Sequence, residues 1–125
     1  MMRSIFIAFF FTLSGLASAD TVLVTGSNRG IGLELVTQYA ADGWDVIATS
    51  RTPDDDDNLQ ALAEANANIT IEALDVTNMS QIAALADKYQ GTAIDVLINN
   101  AGLLGGRPGQ EWGNLDADLF AQLMA

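Results

Sequence analysis

Among the 125 residues of this chain there is no cysteine and no histidine, and only five residues are basic. Without His or Cys the common zinc sites, imidazole acid–base catalysis, thiol nucleophiles and disulfides are excluded, so any chemistry must use other groups. A chain without thiols folds alike in oxidising and reducing surroundings, so the missing Cys carries no information about compartment. Against the five cations stand sixteen carboxylates, a formal charge of −11. Such a surface repels phosphate backbones and leaves no basic stripe for counterion release, which argues against nucleic acid as a partner. Half of the residues are hydrophobic, enough for a packed core within the size of one domain.

The charge is unevenly placed, since every carboxylate lies at or beyond Asp20. Ahead of it come Arg3, an apolar stretch from Ile5 through Leu13, and small residues ending in Ala17, Ser18 and Ala19. This is the pattern of a secretory signal peptide over residues 1–19, with cleavage expected before Asp20 and export to a periplasm or the medium. The apolar run stops at Leu16, shorter than the roughly 20 residues that span a bilayer. An uncleaved membrane anchor, or a buried helix in a cytoplasmic protein, is the other reading of this segment. No twin Arg is present, so export would use the route that carries unfolded chains. Cleavage would leave 106 residues with a charge of −12 and no stable membrane span.

From Asp20 onward, short β-branched runs alternate with helical spacing. Strands are expected at Thr21–Thr25, Trp44–Ser50, Ile69–Leu74 and Ile94–Ile98. Between them, Ile31, Leu35, Val36 and Tyr39 mark a helix over Gly30–Asp42, closed by Gly43. Leu59, Leu62 and Ala63 mark a second helix after Pro53 and the acidic run Asp54–Asp57. Asn78 or Ser80 can cap a third, carrying Ile82, Leu85 and Tyr89 and closed by Gly91. Asn99–Asn114 holds five Gly and the second Pro and is expected to be a loop, with a helix beginning at Leu115 and still showing apolar spacing at Phe120, Leu123 and Met124. The strand–helix alternation implies a parallel, doubly wound α/β sheet of Rossmann-like type, its right-handed crossovers placing helices on both faces.

Chemistry concentrates where the first strand meets the first helix, in Thr25-Gly26-Ser27-Asn28-Arg29-Gly30-Ile31-Gly32. Gly26 permits a tight turn, Gly30 and Gly32 let backbone and helix come close, and the helix N-terminus offers free N–H groups to a pyrophosphate. Three glycines alone are a weak signal, because Gly before a helix is often only a turn. The strand before them and the amphipathic helix after them supply the context of a dinucleotide site. At the end of the second strand an acidic residue would accept from a ribose 2′-hydroxyl, whereas an Arg pairs with a 2′-phosphate. Here Ser50-Arg51 stands there and Arg29 lies in the loop, which favours NADP(H) and leaves NAD(H) open. In the bland reading, Arg51 is a solvated charge paired with Asp54–Asp57. The acidic run itself reads as an exposed loop and helix start whose nearness would weaken a bound phosphate.

With these motifs in place the chain resembles the short-chain dehydrogenase/reductase family over residues 20–125. The loop fits that family's TGxxxGxG motif, Asn99-Asn100-Ala101-Gly102 fits its NNAG motif, and Asp75-Val76 matches the position whose carboxylate holds the adenine. The resemblance implies a sheet whose first four strands are ordered 3-2-1-4. It implies a cofactor site built from Gly26, Ser27, Asn28, Arg29, Gly30, Ile31, Gly32, Arg51, Asp75, Val76, Asn99, Ala101 and Gly102. Asp75 also reads as a turn residue and the NNAG asparagines as loop hydrogen-bonders. The flanking text looks closest to the C-factor and sniffer-like carbonyl reductase branch.

In that family a Tyr transfers the proton, its pKa lowered by a Lys four residues later, with a Ser orienting the oxygen. Tyr39 and Tyr89 are followed at that spacing by Gly43 and Ala93, and the sole lysine, Lys88, immediately precedes Tyr89. Neither Tyr is a catalytic candidate, and the catalytic residues are expected beyond Ala125. The expectation is therefore an inactive N-terminal piece of a carbonyl/alcohol oxidoreductase for small molecules, the full-length protein being open to homo-oligomerisation. A non-catalytic NADP(H)-binding or extracellular signalling protein of the same fold is the rival, motivated by the signal peptide. Trp44 and Trp112 read as packing residues, and Arg107 as a contact to substrate or solvent.

Overall fold

The computed structural model describes residues 18–102, 110–111, 114–115, 117–118 and 121. Four expectations lie outside these residues: the leader up to Ala17, the surroundings of Arg107 and of Trp112, and the apolar spacing at Phe120, Leu123 and Met124. The elements run β1 (Thr21–Val24), α1 (Gly30–Ala41), β2 (Asp45–Ser50), a 3-10 turn (Pro53–Asp55), α2 (Asp57–Ala65), β3 (Ile69–Ala73), α3 (Met79–Lys88) and β4 (Val96–Ile98). Two short strands follow, β5 (Gln110–Glu111) and β6 (Asn114–Leu115).

The four long-range strands pair in parallel in the order β3-β2-β1-β4. This is the doubly wound α/β arrangement expected from the strand–helix alternation. Side chains alternate between the sheet's faces along each strand. On one face Val22, Val24, Val46, Ala48 and Ile69 pack with Val36 and Ala40 of α1 and Leu59 of α2, all buried. Tyr39 and Trp44 seal the lower rim edge to face, ring centres 5.0 Å apart, so Trp44 is a packing residue. Asn68 holds the end of α1, its amide donating to the carbonyls of Ala40 and Trp44.

Two local readings need correction. Ile31 belongs to no core stripe: the buried side of α1 is Gly32, Val36 and Ala40, and Ile31 is 74% exposed at the helix start. Ile31 faces away from the sheet, because it is its neighbour Gly32 that packs against the Gly26 carbonyl and Asn100. The stretch read as a loop up to Asn114 contains the antiparallel pair β5–β6, and Leu115, taken as a helix start, lies in β6. Strands of two residues are too short to show periodicity. Helical backbone does occur at residues 117, 118 and 121.

Leu23 and Leu97 point to the opposite face, where α3 lies. Asn78 caps that helix, accepting from the N–H groups of Ser80 and Gln81. Its anchor is Glu72 on β3, which accepts from Lys88 Nζ at 2.6 and 2.8 Å and from the Tyr89 hydroxyl at 2.6 Å. Burial and then the Glu72 carboxylate push the Tyr89 phenol well above its ordinary value. Burial also pushes the Glu72 carboxyl up, but the bonds from Lys88 and Tyr89, with the lysine's charge, outweigh it and hold the group below its ordinary 4.5.

A depressed carboxyl pKa stabilises the fold above the unfolded value and loses that contribution as pH falls through the folded value. Glu72→Gln is therefore expected to cost about 1–2 kcal/mol at pH 7, a modest figure because Lys88 is 60% exposed. The difference from wild type should shrink progressively in melts carried below pH 4.5, as Glu72 takes up its proton. A difference that stays constant down to the pH at which the wild type itself acid-unfolds would show that the charge of Glu72 contributes nothing.

Candidate functional site

The site lies at the C-terminal edge of the sheet, where β1 runs into the glycine loop and β4 ends beside it. Thr25 joins the two. Its N–H donates to the Ile98 carbonyl at 3.0 Å, and its hydroxyl oxygen accepts from the N–H groups of Asn100 and Ala101, each at 3.0 Å. Asn100 returns the link, its amide donating to the carbonyls of Thr25 at 3.1 Å and Gly26 at 3.0 Å. Thr25 and Asn100 thus clamp the two loops together. Neither was singled out as a site residue, although both lie inside the recognised motifs.

The glycines divide by what surrounds them. At Gly26, with φ +67°, a Cβ would stand 2.8 Å from Cα of Ala101. At Gly32 it would press into the Gly26 carbonyl oxygen and reach 2.6 Å from the Asn100 amide nitrogen. These two positions are glycine because backbone passes against backbone. Gly30, with φ +57°, has nothing within 4 Å of where its Cβ would be. Gly30 is the first residue of α1, and Arg29, the N-cap residue, makes no side-chain capping bond. Uncapped N–H groups with a positive helix end and room above them suit an anion.

Ser27 is fully buried, its N–H on the Thr49 carbonyl at 2.8 Å and its hydroxyl on the Val24 carbonyl at 2.8 Å. It braces the loop from below. Asn28 donates to Asp56 at 3.2 Å. Arg29, Ile31 and Arg51 are exposed around the opening. Among the described residues no ion pair ties Arg51 to the acidic run, so both guanidiniums are available to a ligand.

Asp75 forms a turn, one carboxylate oxygen accepting from the N–H and hydroxyl of Thr77 at 2.9 and 2.7 Å. The Thr77 hydroxyl and N–H, and behind them the charge of Arg51, hold its carboxyl below the ordinary value. The turn reading of Asp75 is thus realised at the same edge of the sheet as Arg51. Val76 and Asn99 are exposed and line an apolar groove of about 620 Å³ between the sheet and α3. Ala101 and Gly102 follow Asn100 at the end of β4.

A parallel sheet with a glycine loop feeding an open helix N-terminus at its switch point defines the dinucleotide-binding class of α/β domains. Comparison with known proteins narrows the class. The family model for short chain dehydrogenase matches residues 20–125, and the chain belongs to that family. It is 39% identical over 100 residues to short-chain dehydrogenase/reductase 1 of Saponaria officinalis, covering 74% of this chain and 32% of that one. It is 38% identical over 92 residues to (+)-neomenthol dehydrogenase of Arabidopsis thaliana, covering 66% and 30%.

Among solved structures, a short-chain dehydrogenase/reductase from Burkholderia multivorans with bound NADP superposes with a TM-score of 0.76 at 38% identity, over 85% of this chain and 46% of that one. A carbonyl reductase from Pseudomonas aeruginosa PAO1 in complex with NADP gives 0.74 at 34% identity, over 82% and 47%. The chain spans about a third of the curated relatives and about half of these structures.

Proposed function

We infer that this chain forms the NADP(H)-binding part of an oxidoreductase that interconverts a carbonyl and an alcohol on a small molecule. The observation that carries the reading is the uncapped N-terminus of α1 under the open side of Gly30, flanked by Arg29 and Arg51. Gly30, Ile31 and Gly32 present the helix end to the pyrophosphate, with Gly26, Ser27 and Asn28 shaping the loop beneath it. Arg29 and Arg51 supply guanidiniums to a 2′-phosphate, which no carboxylate at position 50 opposes. Asp75 and Val76 border the adenine side, and Asn99, Ala101 and Gly102 close the edge along β4. NADPH, when bound, supplies the hydride.

Proton transfer falls to residues outside these 125. Tyr89 is held by Glu72 with its phenol pushed upward, the opposite of what a proton donor working near neutrality needs, and no Tyr here has Lys four residues on. The 125 residues alone are therefore inactive. The Pseudomonas carbonyl reductase supports a carbonyl substrate, in keeping with the likeness to the C-factor and sniffer-like branch. Residues 1–19 act as a signal peptide, so the protein works outside the cytoplasm.

One preparation of the full-length protein from its native host tests both readings. The N-terminus should begin at Asp20, and NADPH should be oxidised when a panel of ketones and aldehydes is added, while the 125-residue chain gives no turnover. Met1 intact in a cytosolic fraction would refute export. Absence of NADPH oxidation with every carbonyl, in a protein that melts cooperatively, would refute the enzymatic reading.

A further inference from the structure

The run Asp54–Asp57 follows β2 closely, and Asp54, Asp55 and Asp57 are exposed. Asp56 is half-buried and differs in what it touches. One carboxylate oxygen accepts from the side-chain amide of Asn28 in the glycine loop, at 3.2 Å. The other accepts from the hydroxyl of Ser50, the buried last residue of β2. The carboxylate therefore bridges the glycine loop to the end of the second strand. This is the corner at which a Rossmann-type site tells a ribose 2′-hydroxyl from a 2′-phosphate. Ser50 and Asn28 are neutral donors that can satisfy a carboxylate or a phosphate oxygen equally well. In this chain a side chain of the protein, itself an anion, already holds them.

We propose that Asp56 is a specificity-determining residue of the cofactor site: its carboxylate takes the donors a 2′-phosphate would use and so narrows the preference for NADP(H) over NAD(H). The inference rests on the cofactor reading above and deepens it. Two anions cannot share the Ser50 hydroxyl and the Asn28 amide without repulsion, so the phosphate of NADP(H) must displace the Asp56 carboxylate. A ribose 2′-hydroxyl is a donor, and the carboxylate accepts from it without moving away. The other three aspartates of the run hold neither Ser50 nor Asn28 and act only through screened charge.

Calorimetric titration of the full-length protein with NADP+ and with NAD+ tests this, in wild type, Asp56→Asn and Asp54→Asn. Asp56→Asn is expected to tighten NADP+ about tenfold while leaving NAD+ unchanged or weaker. Asp54→Asn removes the same charge from an exposed position and should move both nucleotides by less than about twofold. Nucleotide-free melts establish that each variant is folded, and Asp56→Ser serves if the Asn variant is not. An equal change for both nucleotides in Asp56→Asn, or an equal gain in Asp54→Asn, overturns the role of Asp56 and leaves the NADP(H) reading standing. A cooperatively melting wild type that binds neither nucleotide overturns both.

Discussion

Gly32→Ala is expected to destabilise the fold by about 3 kcal/mol or more, and to abolish nucleotide binding with it. The added methyl has no vacant direction. It would press into the Gly26 carbonyl oxygen and against the Asn100 amide, and both of these are held. The Gly26 carbonyl is an acceptor of the Asn100 amide, and Asn100 is tied through its N–H to Thr25, which is tied to the end of β4. Relief therefore requires α1 to lift from the sheet or the clamp between the two loops to open. Either movement exposes the contact of α1 with Val22, Val24 and Val46. Chemical denaturation followed by circular dichroism checks the effect. A loss below about 1 kcal/mol would mean that the loop yields far more easily than its hydrogen bonds allow.

Gly30→Ala, two residues earlier, should separate binding from folding. Its Cβ would meet no protein atom within 4 Å, so the only structural penalty is the left-handed backbone at φ +57°. That strain costs about 1 kcal/mol, enough to lower the melting temperature by several degrees. The methyl would instead stand at the uncapped start of α1, where the pyrophosphate of the proposed cofactor would meet the helix N–H groups. NADP+ affinity is expected to fall about tenfold to a hundredfold in calorimetric titration while the melt stays cooperative. Unchanged affinity would place the pyrophosphate elsewhere and remove the basis for the cofactor reading.

These two glycines show where a linear motif stops being informative. Spacing alone marks Gly26, Gly30 and Gly32 as one loop and cannot say that two of them are required by backbone passing backbone and one by open space. The same holds for Ser27, which reads as a loop residue facing a ligand and is buried beneath the loop, bonded to β1 and β2. Thr25 and Asn100 sit in legible motifs, yet their pairing spans 75 positions in the chain and exists only once β1 and β4 lie side by side. Asp56 is invisible among four consecutive aspartates until the fold brings one of them against Asn28 and Ser50. Element boundaries moved by a residue or two at the strand ends. The β5–β6 pair was not legible at all, because two residues carry no period.

The sequence by itself determined the alternation of buried strands and amphipathic helices, hence a parallel sheet, because periodicity and glycine stops are local properties written along the chain. It also determined the family, through motifs that sit at the ends of those strands. Only the tertiary structure decided which glycines are hemmed in by backbone and which stands open, which aspartate reaches Asn28 and Ser50, and which face of the sheet is packed. Those are matters of distance between residues remote in sequence, and the α1–α2 face is packed while an open groove lined by Leu23 and Leu97 lies between the other face and α3.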